Sequence, residues 1–219
     1  MISLDNRLSL CASYVRKGCK LADIGTDHAY LPVWLYLNGV IESAIAADIN
    51  PEPLSRGQKT ISDYGLDDKI QTRLSDGLEN ILSDEADDIV IAGMGGELIA
   101  KIIGGWEYSR DKTKRFILQP MTKSELLIHW LCENGYEIIS QDCCEASNKL
   151  YTVLLVQYYG EPVDCGELFP YLGRLNPKEN QTHLRFAESR VERLLKKSNG
   201  DARFAVLANK IKEKLYGDC

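Results

Sequence analysis

Three carboxylates close three successive apolar runs in the first third of this chain. Asp23 ends the first in L-A-D-I-G-T-D-H-A-Y-L-P (21–32), Asp48 the second in A-I-A-A-D-I (44–49), and Asp76, followed by Gly77, the third. A fourth run, D-D-I-V-I-A-G-M-G-G-E-L-I (87–99), breaks into three glycines within four positions. Such runs fill parallel strands, and each gives way to small residues just before a segment with helical spacing. The loops therefore share one edge of one sheet. An acid closing the second strand, about twenty residues past a glycine-containing first turn, can accept hydrogen bonds from both hydroxyls of a ribose. A carboxylate after the third strand can accept from the exocyclic amine of an adenine.

Three acids on neighbouring strand ends suit a ligand with a neutral adenosine and a cationic centre, the description of S-adenosylmethionine. No phosphate-cradling Walker loop is present. The first loop keeps only Gly25 of the Gly-x-Gly-x-Gly pattern usual for such sites, continuing Thr26-Asp27-His28-Ala29. The fourth, Ala92-Gly93-Met94-Gly95-Gly96, stands where amino-methylating enzymes often carry Asn/Asp-Pro-Pro-aromatic, and its glycines imply close backbone approach to a ligand.

The elements that must position these loops follow from periodicity. A lead-in helix is expected over 4–16 with Asp5 as cap, strands over 20–24, 44–48, 70–74, 88–92 and 115–120, and helices over 28–40, 51–64, 78–84, 96–104 and 123–134. After Gly135, two strand-like runs, 136–143 and 150–158, have no helix between them and must form a hairpin. Five alternating units closed by a hairpin give a Rossmann-like seven-stranded α/β sheet with its last strand antiparallel, the order of a class I methyltransferase; a dinucleotide dehydrogenase would add another βαβ unit. Residues 160–175 read as an irregular junction. Asn176-Pro177-Lys178-Glu179 reads as a helix start, and apolar stripes at Leu184, Ala187, Val191, Leu194 and at Phe204, Leu207, Ile211, Leu215 predict a C-terminal coiled-coil hairpin. The expected domains are 1–160, catalytic, and 161–219, linker and hairpin.

The chain has 219 residues, 44% apolar and 26% charged, with no run approaching the roughly 18 apolar residues of a membrane span. M-I-S-L-D-N-R lacks the basic start and apolar stretch of a signal peptide, so a cytoplasmic location without membrane contact is expected. The seven cysteines, at 11, 19, 132, 143, 144, 165 and 219, show no metal-ligand spacing and are expected to be reduced thiols. The net charge is −6, yet residues 160–219 carry 11 basic and 9 acidic side chains on an otherwise acidic body. Basic candidates for nucleic-acid contact are Arg110, Lys112, Lys114 and Arg115, and on the tail Arg185, Arg190, Arg193, Lys196, Lys197 and Arg203. His129 and His183, inside expected helices, read as incidental.

In A-D-I-G-T-D-H-A-Y-L-P, I-A-G-M-G-G-x-L-I, I-L-Q-P (117–120) and N-K-L-Y-T-V-L-L-V (148–156), the chain resembles the bacterial tRNA (adenine-22-N1)-methyltransferases over nearly the whole catalytic region. The resemblance implies S-adenosylmethionine as methyl donor, an adenine in the D-arm region of tRNA as acceptor, and a coiled-coil appendage. Carried onto this chain, it puts cofactor contacts on Asp23, Gly25, Asp27, His28, Asp48, Ile49, Asp76, Gly77 and Gly93. Acceptor-side or catalytic positions fall on Asp27, Tyr30, Met94, Gly95, Gln119, Pro120 and Tyr151, with Tyr30 or Tyr151 as stacking partner for an extruded base. A monomer or weak homodimer is expected. The alternatives are a class I methyltransferase acting on another RNA, a protein or a small molecule, and an RNA-binding module that has kept the fold without the activity.

Overall fold

Alternate residues of the central strands feed two apolar layers. Along β1 (Cys19–Ile24), β4 (Asp88–Gly95), β5 (Arg115–Thr122) and β7 (Lys149–Tyr158), the side chains of Leu21, Val90, Ile117 and Val153 enter one layer, and those of Ala22, Ile89, Phe116 and Leu154 the other. This is the period of two of a pleated strand buried on both faces. Cys11 of α1 (Asn6–Tyr14), Leu31 and Leu35 of α2 (Tyr30–Leu37) and Ile61 of α3 (Pro51–Asp63) cover the first layer. Ile99 and Ile103 of α4 (Gly96–Gly105) and Leu127 and Leu131 of α5 (Ser124–Glu133) cover the second.

With β2 (Ile41–Asp48), β3 (Ile70–Leu74) and β6 (Tyr136–Ala146), the computed structural model, which describes residues 2–217, has one sheet of order β3-β2-β1-β4-β5-β7-β6. Every pairing from β3 to β5 is parallel, and β7 runs antiparallel to both β5 and β6. The chain moves outward from β1 to β3 and then returns to place β4 on the other side of β1. Connections leave this reversal point in opposite directions, so a crevice opens at the C-terminal ends of β1 and β4.

Four expectations are corrected. The helix expected over 78–84 is absent: the Ser75 hydroxyl donates to the Gly77 carbonyl (2.9 Å) and accepts from the Asn80 amide (3.1 Å), and only a single 3-10 turn, Ser83–Glu85, follows. A short polar side chain here outcompetes the helical backbone pattern. β4 runs to Gly95 rather than stopping at 92, with register shifts on either side of Met94 that make its glycine-rich end a bulge. The last helical pair begins at Gln181, because the Asn180 side chain, not the Asn176-Pro177 segment, caps the amides of Thr182 (2.8 Å) and His183 (3.2 Å). The junction before it contains a one-turn helix, α6 (Phe169–Leu172).

α7 (Gln181–Lys197) and α8 (Arg203–Tyr216) pack through Ala187, Val191 and Leu194 against Ala208, Ile211 and Leu215. α7 also docks on the sheet, and here His183 is a joint rather than incidental. Its Nδ1 accepts from the Asn176 amide (3.1 Å), which leaves the proton on Nε2 to face Asp142 of β6 (2.7 Å). Arg185 pairs with Glu145 at 2.7 Å, and Phe186 is buried with Cys143 and Leu175. The six cysteines among the described residues are free thiols, and burial pushes Cys19, Cys132 and Cys143 each up to about 12; Cys219 lies outside the described residues.

At the opposite edge from the crevice, the fully buried Asp88 accepts from the Arg16 amide and from Arg16 Nε, each at 2.7 Å, pinning the turn before β1 to the foot of β4. Removing Asp88 leaves the Arg16 amide without its acceptor and opens a buried gap, while the partly exposed Arg16 side chain keeps its Asp87 and Thr113 carbonyls, so Asp88→Ala is expected to lose about 2 kcal/mol in urea unfolding with an unchanged m value.

Candidate active site

The loops after β1 and β4, joined by the first residues of α1, enclose a cleft of about 500 Å³. Its lining brings together Asp23, Gly25, Asp27, His28, Tyr30 and Gly93. Gly25 has φ +78° and carries the turn against Met94, whose methyl would stand 2.2 Å from a Cβ there. The Gly25 and Thr26 amides donate to the Ala47 carbonyl (2.8 and 3.0 Å), and the Ser75 amide donates to the Asp48 carbonyl (2.9 Å), so the ends of β1, β2 and β3 are laced together. Along that edge, outside the cleft lining, lie the half-buried Asp48, the exposed Ile49 and Asp76, and the buried Gly77. Asp48 Oδ1 accepts from the Asn50 amide at 2.7 Å.

Asp23 is 7% exposed. Burial pushes its carboxyl up to about 6, with a hydrogen bond from Thr26 opposing and the charge of Asp48 adding. A buried carboxylate beside a second acid is a site in want of a cation.

At the rim, the His28 and Tyr30 rings stack at 5.0 Å with 10° between planes, and Tyr30 is 43% exposed. Asp27 is held by Arg56 of α3 (2.5 Å) and lies 3.4 Å from His28 Nε2. Gln119 is fully buried, and its Oε1 accepts from both Arg7 Nη1 (2.8 Å) and the Gly93 amide (3.0 Å). One amide oxygen thus ties α1 and the β4 bulge to β5. Pro120 is buried beside it, Gly95 stands opposite Thr122, and Tyr151 lies opposite Cys144 near the start of β7, outside the cleft lining. The glycine run has a partly internal explanation, since a Cβ on Gly96 would meet the Lys123 carbonyl at 2.3 Å.

Arg7 and Arg56 are the site residues that spacing did not reveal. Each sits on a helix, away from any strand end, and reaches the site only through folding. The basic group before β5 lies at the sheet edge opposite the cleft, and of its members Lys114 is corrected, because it is buried and donates to the Ser83 carbonyl (2.5 Å) while Arg110 and Lys112 are exposed. On the tail, Arg185 and Arg203 are engaged by Glu145 and Asp201, each at 2.7 Å.

The sheet order, the crevice at its reversal point and the acid at the end of β1 define a class I methyltransferase, and residues 4–154 match the family model described as a methyltransferase domain. The chain is 38% identical over 181 residues, 79% of its length and 76% of the relative's, to the tRNA (adenine(22)-N(1))-methyltransferase of Bacillus subtilis. It belongs to that family.

Among solved structures, it is similar to a Streptococcus pneumoniae protein in complex with S-adenosyl-L-methionine (TM-score 0.87, 33% identity, 99% of this chain and 100% of that one). It is also similar to the B. subtilis M1A22 tRNA methyltransferase TrmK (TM-score 0.81, 28% identity, 98% and 97%) and to M. capricolum TrmK in complex with S-adenosyl-homocysteine (TM-score 0.78, 26% identity, 96% and 95%).

Because the folded-state pKa of Asp23 lies above the unfolded one, the protonated carboxyl favours the fold and that contribution is lost as pH rises through about 6. Asp23→Asn is therefore expected to stabilise the ligand-free protein by about 2 to 3 kcal/mol near pH 8 and to change it little near pH 4, read by urea unfolding at the two pH values.

Proposed function

We propose that this chain transfers a methyl group from S-adenosylmethionine to ring nitrogen 1 of adenine 22, in the D-arm region of tRNA, acting in the cytoplasm as a monomer or weak homodimer. The observation that carries the reading is the buried Asp23 carboxyl in the cleft at the β1/β4 reversal point. Among the described residues, no helix is long and apolar enough to cross a membrane.

The residues present fit the cofactor. Asp23 supplies the counter-charge that its cationic methionine end needs, and Gly25, at φ +78°, makes the left-handed turn that carries the loop past it. Asp48 takes the ribose hydroxyls, while Ile49, Asp76 and Gly77 take the adenine. Gly93 completes the wall, and Arg7, held by Gln119, is placed to receive a carboxylate. When bound, the cofactor supplies an electrophilic methyl on a sulfonium.

The rest is positioning. Ring nitrogen 1 of adenine has a free lone pair at neutral pH, so its attack needs alignment more than a strong base. The target base must leave its stack, and the exposed Tyr30 ring, backed by His28, offers it a platform. The methylated base is cationic, and Asp27, oriented by Arg56, stabilises the charge developing there. Met94, Gly95, Pro120 and Tyr151 stay on the acceptor side as shape, and Gln119 acts through Arg7 and the Gly93 amide.

Incubation with methyl-labelled cofactor and unmodified tRNA transcripts is expected to put label into 1-methyladenosine, and to lose it when adenine 22 is replaced by guanine. Label elsewhere, or none despite cofactor binding, would overturn the assignment. Tyr30→Ala is expected to cut kcat/KM for tRNA by about tenfold or more, with the cofactor Kd unchanged and Tyr30→Phe near wild type. Cofactor affinity, followed by calorimetry, is expected to fall as pH drops below about 6, where Asp23 takes up its proton.

A further inference from the structure

Arg190 on α7 is 9% exposed, and among the described residues its Nε has no hydrogen-bond partner. The guanidinium covers the Phe186 ring at 4.3 Å, which occupies one of its faces with an apolar surface. Glu125, the one carboxylate lining the adjacent cleft, pairs with Lys197 at 3.5 Å. Burial, with the charge of Arg193 adding and that of Glu125 opposing, lowers Arg190 to about 10. Among the described residues no anion is hydrogen-bonded to this buried guanidinium, and such groups are normally paired.

Beside it opens a cleft of about 240 Å³ whose lining includes Lys123, Arg193, Lys196 and Lys197. Lys197 is paired with Glu125 and Lys123 with Glu97, which leaves Arg190, Arg193 and Lys196 without a carboxylate partner among the described residues. Lys123 and Glu125 bring the first turn of α5 to the same cleft, and that helix has no side-chain cap on its leading amides, which leaves the positive end of its dipole available. Lys123 follows directly on the last residue of β5, so the cleft lies on the sheet edge that carries the active site.

We infer that the cleft between α5 and α7 is a phosphate site that seats one phosphodiester of the tRNA backbone, with Arg190 as its buried anchor. The inference rests on the proposed tRNA substrate. Arg193 and Lys196 line the cleft and are also exposed, so its positive surface opens outward along α7, which suits a polyanion rather than a single free phosphate.

The test uses the full-length protein and two variants: Arg190→Met, which keeps the apolar stem, and the exposed pair Arg193→Gln/Lys196→Gln. Both are expected to keep the wild-type cofactor Kd. Each is expected to bind unmodified tRNA several-fold more weakly, with the slope of log K against log salt reduced by about one unit for Arg190→Met and about two for the pair. Inorganic phosphate is expected to raise the melting temperature of the wild type but not that of Arg190→Met. Wild-type tRNA affinity and salt slope in both variants, from a protein that does methylate tRNA, would overturn the phosphate site and leave the enzyme reading intact. A wild-type protein that neither binds nor methylates tRNA would overturn the enzyme reading and the site with it. If Arg190→Met fails to fold, the surface pair decides.

Discussion

A single reversal in strand order governs this molecule. Once β4 returns to the far side of β1, the connections after those two strands diverge, and no helix can fill the space between their ends. Whatever residues close β1 and β4 must line the gap. Asp23 and Gly25 come from one strand and the bulged Gly93 from the other. The bulge frees the Gly93 amide from the ladder, and Gln119 collects it together with Arg7. The bulge thus supplies, at the crevice that the reversal opens, the backbone group by which its wall is fixed.

Holding an ionised carboxyl in that wall runs against the stability of the empty protein. Asp23 lies on a central strand, its neighbours Ala22 and Ile24 are core residues, and the charge of Asp48 reaches it through the interior. The fold tolerates the group because the two apolar layers around it are extensive, and because a cationic ligand would convert a liability into an interaction. Natural proteins often retain such strained groups where binding requires them.

Much of this architecture was legible in the sequence. Short apolar runs such as Ile89–Ile91, alternating with helical segments, read as doubly covered strands, and the absence of a helical segment between residues 143 and 150 forced the closing hairpin. The acids at strand ends were legible for the same reason, since strand ends can be read from periodicity. Arg7, Arg56 and His183 were not, because their partners Gln119, Asp27 and Asp142 are distant in sequence and only packing joins them. The helix over 78–84 failed where a local competition outran periodicity: Leu78 and Ile81 are buried as a helical pattern would have them, but Ser75 claims the backbone. Gly96 was legible as a close approach but not as to what, the Lys123 carbonyl rather than a ligand.

The union of α1 with β5 also bears on the timing of synthesis. Arg7 is synthesised well before its partner, since the amide oxygen that fixes it belongs to Gln119, more than a hundred positions later. At translation rates of about 5 to 20 residues per second, α1 waits many seconds without its anchor. The methyl-donor pocket is thus a late product of the nascent chain, closed by a segment made long before β5, and a ribosome-bound fragment ending before β5 would carry the acidic strand ends without a finished pocket around them.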